Sequence, residues 1–100
     1  MVDHRDAPRV PIAIHGGRGS LFALLVFGRS PFGYVTMLGR LTARGTPVLE
    51  DAALGLRREG FRYLTIDESG LITTNSDGAI SMRLFREQFE IMPGSASDLS

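Results

Sequence analysis

The sequence predicts a single α/β domain built on a mixed β-sheet. Three features predict it. An apolar run at residues 21–27 is closed by Gly28, Ser30, Pro31 and Gly33 and followed at once by the β-branched and aromatic segment 34–38. A strongly patterned helix over residues 46–60 leads directly into a further strand. A second helix start follows at residues 75–78. A chain of 100 residues makes one domain, and at this size it buries roughly 60–70% of its unfolded surface.

The polar stretch 1–9 reads as a tail. Residues 10–14 form a short edge strand, confined to an edge because Pro11 has no amide to donate. His15-Gly16-Gly17-Arg18-Gly19-Ser20 is a loop by composition. Periodicity alone leaves strand and buried helix both open for residues 21–27. The short Pro/Gly connection to residues 34–38 selects an antiparallel hairpin. In the helix over 46–60, Thr46 is placed to cap and Pro47 suits the first turn, where a missing amide costs nothing. Glu50 and Asp51 lie toward its positive end, Arg57 and Arg58 toward its negative end, and Gly60 fits the left-handed position past its C-terminus. Leu49, Ala52, Ala53 and Leu56 make one apolar stripe. Residues 61–66 form a strand, so strand 34–38, helix 47–59 and strand 61–66 compose a βαβ unit with parallel strands. Asp67-Glu68-Ser69-Gly70 reads as a turn, Leu71-Ile72-Thr73-Thr74 as a brief extended piece, and Asn75-Ser76-Asp77-Gly78 as a turn that opens a helix. In that helix Ile80 and Leu84, and then Phe85 and Phe89, stand at i+4 spacings, and Pro93-Gly94 stops it.

Composition narrows the function. Eleven basic and eleven acidic side chains balance, all the basic ones are Arg, and Cys is absent. There is no basic footprint for nucleic acid, no polybasic membrane patch, no apolar run long enough to span a bilayer, and no thiolate chemistry. A cytoplasmic protein without a cofactor is expected. The Gly16-Gly17-Arg18-Gly19 loop lacks the Lys-Ser/Thr of a phosphate-binding loop. His4 and His15 have no second ligand at metal spacing. A hydrolase would need Ser76, His15 and Asp67 brought together, and there is no G-x-S-x-G elbow. No catalytic or metal residue is assigned, and the chain is not expected to be an enzyme.

On local chemistry alone, Asn75-Ser76-Asp77-Gly78 reads first as an N-cap turn. Ser76 nevertheless falls where backbone N–H groups and the helix dipole favour an added phosphate. The longer stretch resembles the signature of the STAS domain, the fold of bacterial anti-sigma factor antagonists: Asp-x-Ser-Gly-Val, three residues, then Asp-Ser-Ser/Thr-Gly opening a helix. Asp67, Ser69, Gly70, Leu71, Ser76 and Gly78 match it in spacing. Gly39-Arg40-Leu41-Thr42-Ala43 resembles the family's Gly-x-Leu-Asp loop, and Pro47 and Leu49 match in the helix that follows. Asn75 stands where the pattern has Asp, Asp77 where it has Ser or Thr, and Thr42 where it has Asp.

The resemblance covers about residues 21–92. It implies a STAS-like mixed sheet, an antiparallel hairpin followed by a parallel βαβ unit, with the helices packed on one face. Residues 1–20 are then a flexible extension and 93–100 a polar tail. It also implies a protein-binding module that engages an anti-sigma factor or serine kinase through Gly39, Thr42, Asn75, Ser76, Asp77 and Gly78, with Ser76 as the phosphorylated switch. The alternative is a STAS-like scaffold or transporter-associated subunit in which Ser76 is only a cap. Residues 89–92 would serve as the next strand, ending the second helix near Arg86. An uncovered sheet face or edge would then favour self-association.

Overall fold

The computed structural model describes residues 10–16, 21–73 and 76–93. Within them the chain runs β1 (Ala13–Gly16), β2 (Phe22–Arg29), β3 (Phe32–Leu41), a 3-10 turn (Ala43–Gly45), α1 (Thr46–Arg58), β4 (Tyr63–Thr73), α2 (Ser76–Glu87) and β5 (Glu90–Ile91). The strands form one five-stranded sheet in the order β1-β2-β3-β4-β5. β1, β2 and β3 pair antiparallel, whereas β3, β4 and β5 run parallel. The expected hairpin and βαβ unit are both present, in a mixed sheet.

Strand alternation decides where the core lies. Phe22, Leu24 and Val26 of β2, Val35 and Met37 of β3, and Leu64 and Ile66 of β4 are buried on one face. Both helices cover that face. α1 contributes Leu49, Ala52, Ala53 and Leu56, as its stripe predicted, and α2 contributes Met82 and Phe85. α1 packs toward β1 and β2, α2 toward β4 and β5, and the helices touch each other.

α1 ends as its sequence indicates. Gly60 has φ +91°, its N–H donates to the Arg57 carbonyl, and the Phe61 N–H donates to the Leu56 carbonyl. This is a Schellman closure, which a side chain at Gly60 would strain. Its start differs from the expectation. Gly45 holds the cap position without a side-chain hydrogen bond, and Thr46 is already helical. The preceding 3-10 turn extends the helical path backward by three residues, which moves the cap off Thr46. Glu50 and Asp51 consequently lie beyond the first turn.

The largest correction concerns Asp67-Glu68-Ser69-Gly70. These residues make no chain reversal but lie inside β4, which continues to Thr73. The β3–β4 register passes from Thr36↔Asp67 to Leu38↔Gly70, so Glu68 and Ser69 together stand opposite Met37. Turn-forming chemistry here makes a β-bulge. Asp67 Oδ1 accepts from Ser69 N–H at 2.9 Å and from Ser69 Oγ at 2.6 Å, tightening the extra residue locally.

Two boundaries also move. β1 falls at Ala13–Gly16, so the stretch 1–20 expected as an extension contributes an edge strand in its described part. Residues 89–92 do supply a strand: Glu90 N–H donates to the Arg62 carbonyl and Met92 N–H to the Leu64 carbonyl. α2 stops at Glu87, close to the expected Arg86.

Candidate functional site

The parallel β3–β4 pair fixes the site. Its register ends at Leu41↔Thr73, so the chain leaves both strands at the same end of the sheet. From β3 it enters Thr42 and the 3-10 turn. From β4 it arrives three residues later at Ser76. Loops at the carboxyl ends of neighbouring parallel strands are where α/β sheets place their functional groups.

Gly39 begins this end of β3 with φ +95°. Its neighbour Arg40 donates an N–H to the Leu21 carbonyl at 2.7 Å. A Cβ on Gly39 would overlap that carbonyl oxygen. Glycine therefore lets β3 pass close to the Leu21 carbonyl on its way to Thr42. Thr42 is extended (φ −127°, ψ −174°), and its Oγ1 accepts from Arg44 N–H at 3.3 Å, capping the 3-10 turn. A cleft of about 220 Å³ opens beside it, lined among others by Arg40, Thr42, Arg44 and Val48.

On the β4 side, Ser76 is the first residue of α2 and is exposed. Asp77 is exposed in the first turn, where a carboxylate favours the positive end of the helix. Gly78 is buried, which lets the first turn approach the core closely. Asn75 lies outside the described residues. The 3-10 turn and α2 pack together, and Thr46 Oγ1 lies 2.7 Å from Ser81 Oγ. Gly39, Thr42, Ser76, Asp77 and Gly78 thus gather at one end of the fold.

Two residues of this surface were not singled out from the sequence. Of the apolar residues spaced along α2, Phe85 is buried, but Ile80 and Leu84 are 47% and 54% exposed. They follow Ser76 at i+4 and i+8 and so share its side of the helix. The readable signal is the series Gly78, Ser81, Met82, Phe85, whose i, i+3, i+4, i+7 spacing claims the core face and turns Ile80 and Leu84 outward.

Asp67 stabilises the approach to this end. Besides the two Ser69 contacts, its Oδ2 accepts from the Tyr34 hydroxyl at 3.4 Å. The Ser69 hydroxyl, then the Ser69 amide and more weakly Tyr34, hold its carboxyl below the ordinary value of 3.8, against an opposing contribution from burial. Glu68, on the helix side of the bulge, forms an ion pair with Arg86 of α2.

A hydrolytic triad is not assembled. His15 pairs with the buried Leu24 and faces α1, while Asp67 pairs with Thr36 on the opposite face. Three strand spacings, about 14 Å, separate their strands. Among the described residues no cluster of His, Cys, Asp and Glu could hold a metal ion, and no helix is long and apolar enough to cross a membrane.

A mixed sheet with an antiparallel hairpin at one side, a parallel βαβ unit at the other and both helices on one face defines the class: this is a STAS fold. The crystal structure of an antisigma-factor antagonist, STAS domain, from Rhodobacter sphaeroides matches it with a TM-score of 0.55 over 80% of this chain and 95% of that one, at 16% sequence identity. No family model and no curated protein matches the sequence.

Proposed function

We propose that the chain is a regulatory protein-binding module, an anti-sigma factor antagonist that acts in the cytoplasm by docking onto an anti-sigma factor or serine kinase. Ser76 is its switch. One observation carries this reading: Ser76 is exposed as the first residue of α2, at the head of the apolar stripe Ile80–Leu84. Unmodified, such a surface carries the Asp77 carboxylate against the positive end of the helix at its tip and is apolar behind it, suited to a protein contact. Phosphate on Ser76 would add about −1.5 to −2 charges. The free helix accommodates that charge at the positive end of its dipole. A partner covering Ile80 and Leu84 would have to bury it, at a cost of about 2–5 kcal/mol, or roughly 30-fold and more in affinity. The kinship of fold with the Rhodobacter sphaeroides antagonist supports the same reading.

The test is direct. Incubated with an anti-sigma serine kinase and ATP, the chain should gain one phosphate that mass spectrometry places on Ser76 and that Ser76→Ala abolishes. Ser76→Ala should keep partner affinity and Ser76→Asp should lose it; equal binding by the two variants ends the switch reading. The exposed carboxylate of Asp77 favours a second reading, because it already occupies the positive end of α2. There the module is a scaffold or transporter-associated subunit. It then binds a non-kinase partner stably and its mass is unchanged after exposure to kinase and ATP.

A further inference from the structure

The two helices leave one face of the sheet bare among the described residues. That face carries apolar side chains with Arg29, Arg40, Asp67 and Glu90 among them. Ile14, Phe32 and Ile72 are each more than half exposed there, and Leu38 is 41% exposed. The strand registers place them on the side opposite the buried Leu24, Val35 and Leu64. Two aromatic pairs reinforce it: Phe32 stacks on Tyr63 with ring centroids 5.1 Å apart, and Phe27 meets Tyr34 edge-on at 6.4 Å. With strands about 4.8 Å apart and residues about 3.3 Å apart, the face projects on the order of 500 Å², at the upper end of what monomers leave exposed.

Its charges identify what fits it. The registers Arg29↔Phe32, Phe32↔Tyr63 and Tyr63↔Glu90 place four side chains in one row across β2, β3, β4 and β5. The row reads cation, ring, ring, anion. Arg29 and Glu90 stand three strand spacings apart, about 14 Å, too far to pair within one chain. A two-fold axis lying parallel to the strands between β3 and β4 exchanges the two ends of the row. It sets Arg29 over Glu90 of a second copy and each Phe32–Tyr63 stack over its equivalent. The same axis brings Asp67 toward Thr36 of the second copy, a hydroxyl donor for a carboxylate whose two oxygens already accept from Ser69 and Tyr34.

We propose that this helix-free face is the interface of a symmetric homodimer. A second copy is favoured over a foreign partner because the row is complementary to itself. Segments 1–9 and 94–100 of the sequence offer few large apolar side chains to cover the face. Two copies overlapping across β2 to β5 remove somewhat under about 1,000 Å², the size of a weak interface and one consistent with micromolar affinity. The strands of the two sheets then run alongside one another about 10 Å apart with interdigitated side chains. Both helix layers point outward, so Ser76 stays open on each copy.

The full chain is examined by sedimentation equilibrium at concentrations on the order of 100 μM, above the expected Kd. The mass should be twice 10.9 kDa. Phe32→Lys, at an exposed position, should give a folded monomer. Arg29→Glu should weaken the dimer at least tenfold, and adding Glu90→Arg should restore it. Leu84→Lys, on the helix layer, should leave the mass doubled, so failure of the dimer and failure of the Ser76 docking surface are distinguishable. A wild-type monomer overturns the proposal. If surface footprinting then finds the face protected, it belongs to the chain's own ends; if open, to a different protein. A dimer that survives Phe32→Lys, or a charge reversal that Glu90→Arg does not rescue, overturns it equally.

Discussion

Thr46 Oγ1 and Ser81 Oγ lie 2.7 Å apart, tying the first turn of α1 to the second turn of α2. Ser81 is a buried polar residue in an otherwise apolar helix contact. Its hydroxyl gives the two helices a fixed register that hydrophobic contact alone would leave loose, and the register sets where Ser76 stands relative to the Thr42 turn. Ser81→Ala should cost about 0.5–1.5 kcal/mol in urea denaturation. A double-mutant cycle with Thr46→Val should return a coupling of at least about 0.5 kcal/mol. Strict additivity would mean that the hydroxyls do not pair.

Two glycines predict opposite outcomes for the same substitution. Gly39 combines φ +95° with a Cβ position occupied by the Leu21 carbonyl. Gly39→Ala should therefore destabilise the fold by about 2–3 kcal/mol, from left-handed strain and backbone displacement together. Gly55 lies inside α1, and a Cβ there meets only His15 Cε1 at 3.7 Å. Gly55→Ala should stabilise by about 0.5–1 kcal/mol through helix propensity. The shift in urea midpoint distinguishes the two, and a neutral Gly39→Ala would show that β3 can reach Thr42 without the close approach to Leu21.

These local constraints also show what was legible in the sequence. The βαβ unit was readable because α1 carries agreeing signals: the Leu49–Leu56 stripe, Pro47 at its start and Gly60 at its end. The bulge was not, because Asp67-Glu68-Ser69-Gly70 has the composition of a turn, and only pairing with Met37 on β3 holds it in a strand. Tertiary pairing overrode local propensity there. Thr46 as a cap failed for a related reason. The cap residue depends on where the helical path begins, and the 3-10 turn before Thr46 left no mark in periodicity. At the candidate site, Ser76 was placed by its turn, whereas Ile80 and Leu84 were not. Bulk suggested a core role, but Gly78 and Ser81 occupy the close approach that bulk cannot.

Asp67 makes the stability of β4 depend on pH in a definite direction. Its carboxyl titrates below 3.8 in the folded chain, whereas an unfolded Asp titrates near 3.9. A depressed folded value favours the folded state above the unfolded pKa, and that contribution is lost as pH falls through the folded value. Ser69→Ala removes the largest cause and should raise the Asp67 pKa toward 3.8, as read by NMR titration of its carboxyl carbon. The variant should melt below wild type at neutral pH, and the difference should shrink in acid below the folded pKa. A difference that persists there would assign the loss to packing around Ser69 rather than to the carboxylate.

Ile80 and Leu84 give a test of the docking surface that does not depend on phosphate. Each is about half exposed in the free chain, so a partner covering the stripe gains roughly the remaining half of a full side-chain burial, about 1 kcal/mol apiece. Ile80→Ala and Leu84→Ala should each lower affinity for the anti-sigma partner about fivefold by calorimetry. Stability should change by no more than about 0.5 kcal/mol, because neither side chain fills the core. Phe85→Ala, one residue along, should do the reverse, costing about 3–5 kcal/mol of stability through the cavity it leaves. Suppose Ser76→Asp weakens binding while Ile80→Ala and Leu84→Ala do not. The partner then reaches Ser76 from the side of the Thr42 turn, and substitutions at Arg40 and Arg44 beside its cleft should carry the loss instead.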